Sequence, residues 1–230
     1  MNLLDFIFPK RCAGCGKIGR YICDDCRRRM ALIATNECEC PVCRRRAFGG
    51  ATHPKCRARY SLDGLTSFFY YNTVVREVIK SVKYRFVSDM VEEFVSLVPG
   101  SLYGLLPMSS SEPSIIVPIP LHSARVRYRG FNQAEKISTA IGKKLHIPVR
   151  MDILARSRYT EPQVSMRDPQ KRRENMRKVF ALQAGAKEQM NGVGIFLVDD
   201  VFTTGATMRS AAEVLKRGDA KFVWAVTMAR

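Results

Sequence analysis

Val193-Gly194-Ile195-Phe196-Leu197-Val198-Asp199-Asp200-Val201-Phe202-Thr203-Thr204-Gly205-Ala206-Thr207 holds an apolar run, an acidic pair and a small hydroxyl-rich turn in immediate succession. A short continuous apolar run reads as a strand buried on both faces, the kind found in parallel sheets. The turn that follows lets backbone amides and threonine hydroxyls converge on a phosphate, and the helix beginning near Thr207 points its positive end at the same place. A phosphate repels Asp199 and Asp200, so their natural partners are donors: sugar hydroxyls, or waters on a magnesium ion that also holds a diphosphate. One short loop thus suffices to bind a phosphorylated ribose end to end. The plainer alternative, a strand-turn-helix with exposed aspartates and a capping threonine, gives these residues no shared role.

Working outward, Ala211, Val214 and Leu215 continue the helix to Gly218, and Phe222-Val223-Trp224-Ala225-Val226 returns as a strand. Strand, loop, helix and strand make a parallel crossover, whose ligands lie beyond the carboxyl ends of the strands. Upstream the pattern is also that of an α/β domain: a strand from Leu65 to Tyr71, helices over Thr73–Tyr84 and Ser88–Val98, a long loop from Pro99 to Ser114, and a strand at Ile115-Ile116-Val117. That strand stops at Pro118-Ile119-Pro120, because proline cannot donate to the ladder. A loop bearing Arg125, Arg127 and Arg129 is expected next. Asn132 and Glu135 then form a capping pair for a helix with Ala134, Ile137, Ile141 and Leu145 on one face. From Arg150 to Lys178 the chain is basic and aperiodic, a lid-type loop or a charged connection.

All eight cysteines lie between Cys12 and Cys56, which marks off a separate module. Their spacing is Cys12-x2-Cys15, Cys23-x2-Cys26, Cys38-x-Cys40-x2-Cys43 and His53-x2-Cys56, the paired-knuckle pattern that wraps two ligands around one side of a tetrahedral metal. A two-residue gap is awkward for a local disulfide, and no export signal is present. Sequential pairing gives one zinc site from Cys12, Cys15, Cys23 and Cys26, and a second from Cys40, Cys43, His53 and Cys56. Interleaved pairing stays open, and Cys38 competes with His53 for the second site. Four protein ligands leave no open position, so both metals read as structural.

The chain has 230 residues, 46% hydrophobic and 26% charged, a composition that favours a folded protein over a disordered one. Its 38 Lys and Arg against 21 Asp and Glu leave a net charge of +17, which suits polyanionic partners: nucleic acid, phosphorylated metabolites or an anionic membrane surface. Arg27-Arg28-Arg29 and Arg44-Arg45-Arg46 crowd the knuckles, as a solvated face or as contacts to phosphates. Residues Met1 to Phe8 are apolar but short, carry Asp5 and precede Pro9-Lys10-Arg11, the reverse of a secretory signal, and read as a docking segment. The uncharged stretch from Phe94 to Ser111 is broken by Pro99, Gly100, Gly104 and Pro107, so no membrane span is expected and the cytoplasm is the default.

The acidic pair with its Thr-Thr-Gly loop resembles the signature of a type I phosphoribosyltransferase. With the cysteine pairs, Val82-Lys83-Tyr84, Pro118-Ile119-Pro120-Leu121-His122, Arg129-Gly130-Phe131-Asn132-Gln133, Thr160-x-x-Gln163 and Arg172-x-x-Asn175, the chain resembles the ComF family of competence-associated proteins over nearly its whole length. The resemblance implies a double zinc-ribbon-like module over 1–60 and a parallel-sheet, phosphoribosyltransferase-like domain over 61–230. It further implies binding of phosphoribosyl pyrophosphate with magnesium and a role in DNA uptake during natural transformation. Asp199 and Asp200 would contact the ribose hydroxyls, and Thr203, Thr204, Gly205, Ala206 and Thr207 the 5-phosphate. Arg127 or Arg129, with Lys83, would neutralise the pyrophosphate end. His53 stands where cysteine is usual in the family, Arg44 where glycine often follows the knuckle, and Cys38 is additional. Two classes of function follow: a phosphoribosyl transfer enzyme with an unidentified acceptor, or a nonenzymatic factor that binds single-stranded DNA and uses the phosphoribosyl site as a sensor. A competence helicase or another DNA-uptake protein is the class of protein partner this suggests. His122 is assigned a hydrogen bond that orders its loop rather than acid-base chemistry.

Overall fold

The computed structural model describes residues 9–84, 88–109, 112–156 and 179–230. Residues 1–8, the Thr160 and Arg172 motifs and most of the basic stretch after Arg150 lie outside these.

In chain order the elements are helix α1 (Asp24–Arg29), strand β1 (Gly64–Phe69), helices α2 (Thr73–Tyr84), α3 (Ser88–Ser96) and α4 (Gly100–Tyr103), strand β2 (Ser114–Pro118), and helices α5 (Ser123–Arg129) and α6 (Gln133–Leu145). An antiparallel pair, β3 (Leu154–Arg156) and β4 (Phe180–Leu182), helix α7 (Ala186–Met190), strand β5 (Gly194–Val201), helix α8 (Ala206–Arg217) and strand β6 (Phe222–Ala229) follow among the described residues. The central sheet is wholly parallel in the order β1-β6-β5-β2.

The apolar run in β5 explains why helices cover both faces of this sheet. Successive strand residues point to opposite sides. Ile195 and Leu197 therefore join one hydrophobic cluster with Met208, Ala211 and Leu215 of α8, while Phe196 and Val198 join another with Ile137 and Ile141 of α6 and Val78 and Val82 of α2. These strand residues are at most 1% exposed. Continuous apolar sequence is thus the correct pattern for a strand with no solvent face.

The ribbon module packs as part of this body. Cys12, Ile22, Cys23, Cys26 and Met30 belong to the same cluster as Phe68, Val74 and Val75. Its backbone also covers the open edge of β1: Ile33 donates to Phe68, Tyr70 to Ala31, and Ala51 bridges Gly64 in antiparallel fashion. A parallel edge strand that would otherwise present unpaired amide groups is capped by the chain segment preceding it.

Two expectations change. The Pro99–Ser114 stretch is not all loop, since α4 forms within it and buries Leu102 and Tyr103. The three alternate arginines lie on α5, not on a loop. His122 caps this helix by accepting from the Ala124 N–H at Nδ1, 3.2 Å away, and Gly130 ends it in the left-handed region at φ 78°. The segment is short and has no apolar stripe, so periodicity could not reveal it. Helical spacing then places Arg125 and Arg129 on one face and Arg127 off it.

Candidate functional site

Strand order brings the two expected loops together. Val198 pairs with Pro118 in register, and the Ile119 N–H donates to the Val198 carbonyl at 2.8 Å. The acidic pair and the Pro118 loop therefore leave neighbouring strands at the same carboxyl edge, where open α/β sheets hold their ligands.

Asp199 and Asp200 sit at that edge, Asp200 6% exposed and Asp199 half-buried. Alternation puts Asp200 in phase with Phe196 and Val198, toward α2, and there Lys83 Nζ meets its Oδ2 at 2.6 Å. That buried oxygen has no hydrogen bond of regular geometry besides this ion pair. Asp199 accepts the Asp200 backbone N–H at Oδ1, 2.8 Å away. Desolvation, and then the charge of Asp200, push the Asp199 carboxyl well above the ordinary aspartate value of 3.8. One carboxylate is thus paired with a lysine, while burial and the charge of that carboxylate disfavour the ionised form of its neighbour.

The turn after β5 is built from Phe202 to Gly205. Phe202 is buried and anchors the turn to β6 through its N–H to the Ala229 carbonyl. Gly205 adopts φ 71°, and a Cβ there would lie 2.4 Å from the Phe202 ring, so only glycine fits. Thr203 and Thr204 are exposed, Ala206 and Thr207 partly so, at the start of α8. This is the cradle a phosphate requires, with hydroxyls, a glycine and a helix amino end in one place.

Three arginines near this edge, Arg44, Arg156 and Arg209, were not singled out by the sequence for it. Arg209 of α8 donates through Nη1 to the Thr204 carbonyl at 2.8 Å. Arg44, which follows the Cys43 knuckle, donates through Nη1 to the Thr203 carbonyl at 2.9 Å, stacks over the Phe202 ring at 5.1 Å, and pairs with Glu39 at 3.0 Å. Desolvation and the nearby Arg44 lower the Arg209 guanidinium below its ordinary value. Arg156, at the end of β3, is lowered by burial and by Arg125, while Asp199 acts in the opposite direction. Arg156 thus supplies positive potential on the Asp199 side, and Lys83 acts on both carboxylates. No periodic or motif signal marks these contacts, which join residues as far apart as 44 and 203.

Of the other expected anion ligands, Arg129 stacks over Tyr84 at 5.3 Å and donates to Gln133 at 3.3 Å, and Arg127 is exposed. Lys83 lies with the acidic pair rather than with either of them.

The ribbon residues gather in two fourfold donor clusters, Cys12, Cys15, Cys23 and Cys26, and Cys40, Cys43, His53 and Cys56, each with all donor atoms within 4.8 Å of one another. A tetrahedral zinc with Zn–S near ~2.3 Å needs donors roughly 3.8 Å apart. Cys15 and Cys23 sulfurs are 3.6 Å apart, and His53 Nδ1 lies 3.3 Å from Cys43 Sγ. His53 Nε2 donates to the Arg46 carbonyl at 2.9 Å, which leaves Nδ1 as the lone-pair nitrogen facing the cysteines. Both donor sets fit structural zinc. Cys38 lies outside the clusters, buried, and desolvation raises its thiol above the ordinary value. Arg44, directly beyond this knuckle, holds φ 63°, a left-handed conformation that costs a side-chain-bearing residue about 1–2 kcal/mol.

The family profile described as a phosphoribosyl transferase domain matches residues 126–230, and that of a double zinc ribbon domain matches residues 3–57. Competence protein ComFC of Bacillus subtilis (strain 168) is 28% identical over 218 residues, 91% of this chain and 84% of that protein. Competence protein F of Haemophilus influenzae is 36% identical over 46% of this chain and 45% of its own. DNA utilization protein YhgH of Escherichia coli (strain K12) is 32% identical over 48% and 47%. The match therefore spans less than half the length of the last two. Among solved structures, a glutamine phosphoribosylpyrophosphate amidotransferase from B. subtilis aligns with 65% of this chain and 26% of its own at 14% identity and a TM-score of 0.38. No helix among the described residues is long and apolar enough to cross a membrane.

Two measurements check this site. Elemental analysis is expected to find that His53→Ala lowers bound zinc from two ions per chain to one, whereas Cys38→Ser retains both. The raised Asp199 pKa makes its ionisation unfavourable to folding: the penalty is absent below the unfolded value and grows as pH rises through the folded one. Asp199→Asn is therefore expected to unfold at higher temperature than wild type in alkaline buffer, with the gap closing as pH falls to about 4. A gap that widens on acidification would reverse the assignment.

Proposed function

Because the chain belongs to the ComF family, joining a double zinc ribbon to a phosphoribosyltransferase-type fold, we propose that it serves DNA uptake and binds phosphoribosyl pyrophosphate with magnesium at the carboxyl edge of β5. The observation that carries this reading is the sequence of chemistries at that edge: the arginine-bearing helix α5 after the Pro118 loop, two carboxylates with Lys83, then a hydroxyl and amide cradle. They complement a diphosphate, a ribose and a 5-phosphate in that order.

Asp199 and Asp200 accept hydrogen bonds from the ribose hydroxyls, and their charge favours the positive charge that builds at the anomeric carbon when its bond to diphosphate lengthens. Thr203 to Thr207 fix the 5-phosphate and so hold that carbon in place. Magnesium, when bound, neutralises the diphosphate. Lys83 spares Asp200 an uncompensated burial and is released toward the diphosphate when the ribose donors arrive. The ribose donors offset the desolvation of Asp199 in the same event. This chemistry requires no nucleophilic side chain, and His122 is engaged as a helix cap.

A second reading is favoured by Phe48. Its side chain is fully exposed, two residues after Arg44-Arg45-Arg46, on a chain of net charge +17. An exposed aromatic among cations is a stacking platform for single-stranded nucleic acid. The protein then acts as a DNA-binding factor that senses phosphoribosyl ligands without turning them over.

Calorimetry with magnesium and phosphoribosyl pyrophosphate tests the first reading. Asp199→Asn combined with Asp200→Asn is expected to weaken binding at least about thirtyfold, two lost charge-assisted contacts. No binding by wild type rejects it. For the second, single-stranded DNA affinity is expected to fall steeply with salt. Phe48→Ala is expected to weaken it about tenfold with the salt slope unchanged, since stacking releases no counterions. No complex at low salt removes that reading.

A further inference from the structure

The zinc ribbon reaches into the phosphate cradle through one side chain. We propose that Arg44 is a positioning residue for phosphate binding: by holding the Thr203 carbonyl it turns the Thr204 N–H toward the ligand. The proposal rests on the phosphoribosyl reading above for the ligand, but its effect on the loop stands independently of it.

A peptide unit is planar and trans, so its C=O and the next residue's N–H point in opposite directions. Arg44 Nη1 takes the Thr203 carbonyl at 2.9 Å, and Arg209 Nη1 takes the Thr204 carbonyl at 2.8 Å. Two successive carbonyls are drawn outward by cations. The N–H groups of Thr204 and Gly205 are thereby aimed the other way, and two successive amides aimed alike form an anion nest. In their absence a turn with two exposed threonines is free to flip either peptide plane.

The two clamps come from different parts of the molecule. Arg209 belongs to the helix that follows the loop, whereas Arg44 is 159 residues away in sequence, on the second ribbon. Its guanidinium is itself fixed: Glu39 Oε2 accepts from Nε at 3.0 Å, and the Phe202 ring lies beneath it at 5.1 Å. Glu39 is held in turn by Arg230 at the end of β6. At its base Arg44 closes the knuckle, its N–H donating to the Cys40 carbonyl at 3.0 Å, with the backbone in the left-handed region. A glycine would adopt that conformation without strain. A strained side chain that reaches a ligand loop is the pattern expected where function maintains the strain. The ribbon thereby helps to set the affinity of the phosphate site, a role separate from covering the edge of β1.

The test compares wild type with Arg44→Gly, which suits the left-handed backbone, and Arg44→Lys, which keeps the charge and one donor. The order parameter of the Thr204 N–H is measured by NMR without ligand, and affinities for ribose 5-phosphate and for magnesium pyrophosphate are measured by calorimetry. In Arg44→Gly, the Thr204 order parameter is expected to fall from about 0.85 to below about 0.6 and ribose 5-phosphate affinity to fall about tenfold, with magnesium pyrophosphate affinity within about twofold of wild type. Arg44→Lys recovers most of both losses. A merely structural role would weaken the two ligands alike and would not be rescued by lysine, and either result overturns the proposal. So does an unchanged Thr204 order parameter in Arg44→Gly. If wild type binds neither ligand, the phosphoribosyl reading fails, and the order parameters alone decide whether Arg44 orients the loop.

Discussion

Two consecutive carboxylates at the end of a strand with no solvent face form the constraint around which the molecule is organised. Burial disfavours each charge, and proximity disfavours having both. The fold answers from two sides. Lys83, at the last turn of α2, meets Asp200 at 2.6 Å and also favours the Asp199 charge, while Arg156 raises the potential around Asp199 from the end of β3. The electrostatic compensation is incomplete for Asp199, whose carboxyl keeps a strong affinity for protons. A site in this condition is better matched to an incoming array of hydroxyl donors than to solvent.

The same edge unites elements that arise far apart in the chain. The sheet fixes Pro118 beside Val198, α8 begins where β5 ends, and the second ribbon lays Arg44 on Phe202. The two matched profiles cover 3–57 and 126–230, and the structure shows what lies physically between them. The intervening strand β1 and helices α2 and α3 contribute Phe68, Val78 and Phe94 to one continuous core with Cys12 and Cys26. The ribbon is thus a layer of the body, held by apolar contact on its first half and by polar contact on its second.

Local chemistry was legible in the sequence where it is compact along the chain. The apolar run, acidic pair and Thr-Thr-Gly turn occupy consecutive positions, and the cysteine pairs announce themselves by spacing. Helix α2 was legible because Val74, Val78, Ile79 and Val82 repeat at its period. Helix α5 was not, because it buries no residue and is defined by a histidine cap and a left-handed glycine. The competition between Cys38 and His53 depends on which side chain faces Cys43, a fact of three-dimensional arrangement that spacing leaves open. Arg156 and Arg209 carry no local mark at all, and Arg44 stands out only as a departure from the family pattern, with nothing to say what it touches. Their meaning comes from carbonyls and carboxylates supplied by other elements, and in a chain with 38 basic residues nothing else distinguishes them beforehand.

The unequal embedding of the two donor clusters has a consequence for metal lability. Opening the first requires pulling Cys12, Cys23 and Cys26 out of the largest hydrophobic cluster, so release there is coupled to loss of the whole fold. The second includes the half-buried Cys43, His53 and Cys56 and is tied down chiefly by hydrogen bonds and ion pairs. It can open as a local unit. Scavenging of zinc in the cell would therefore reach this chain in two stages, with the more easily stripped ion seated next to Arg44.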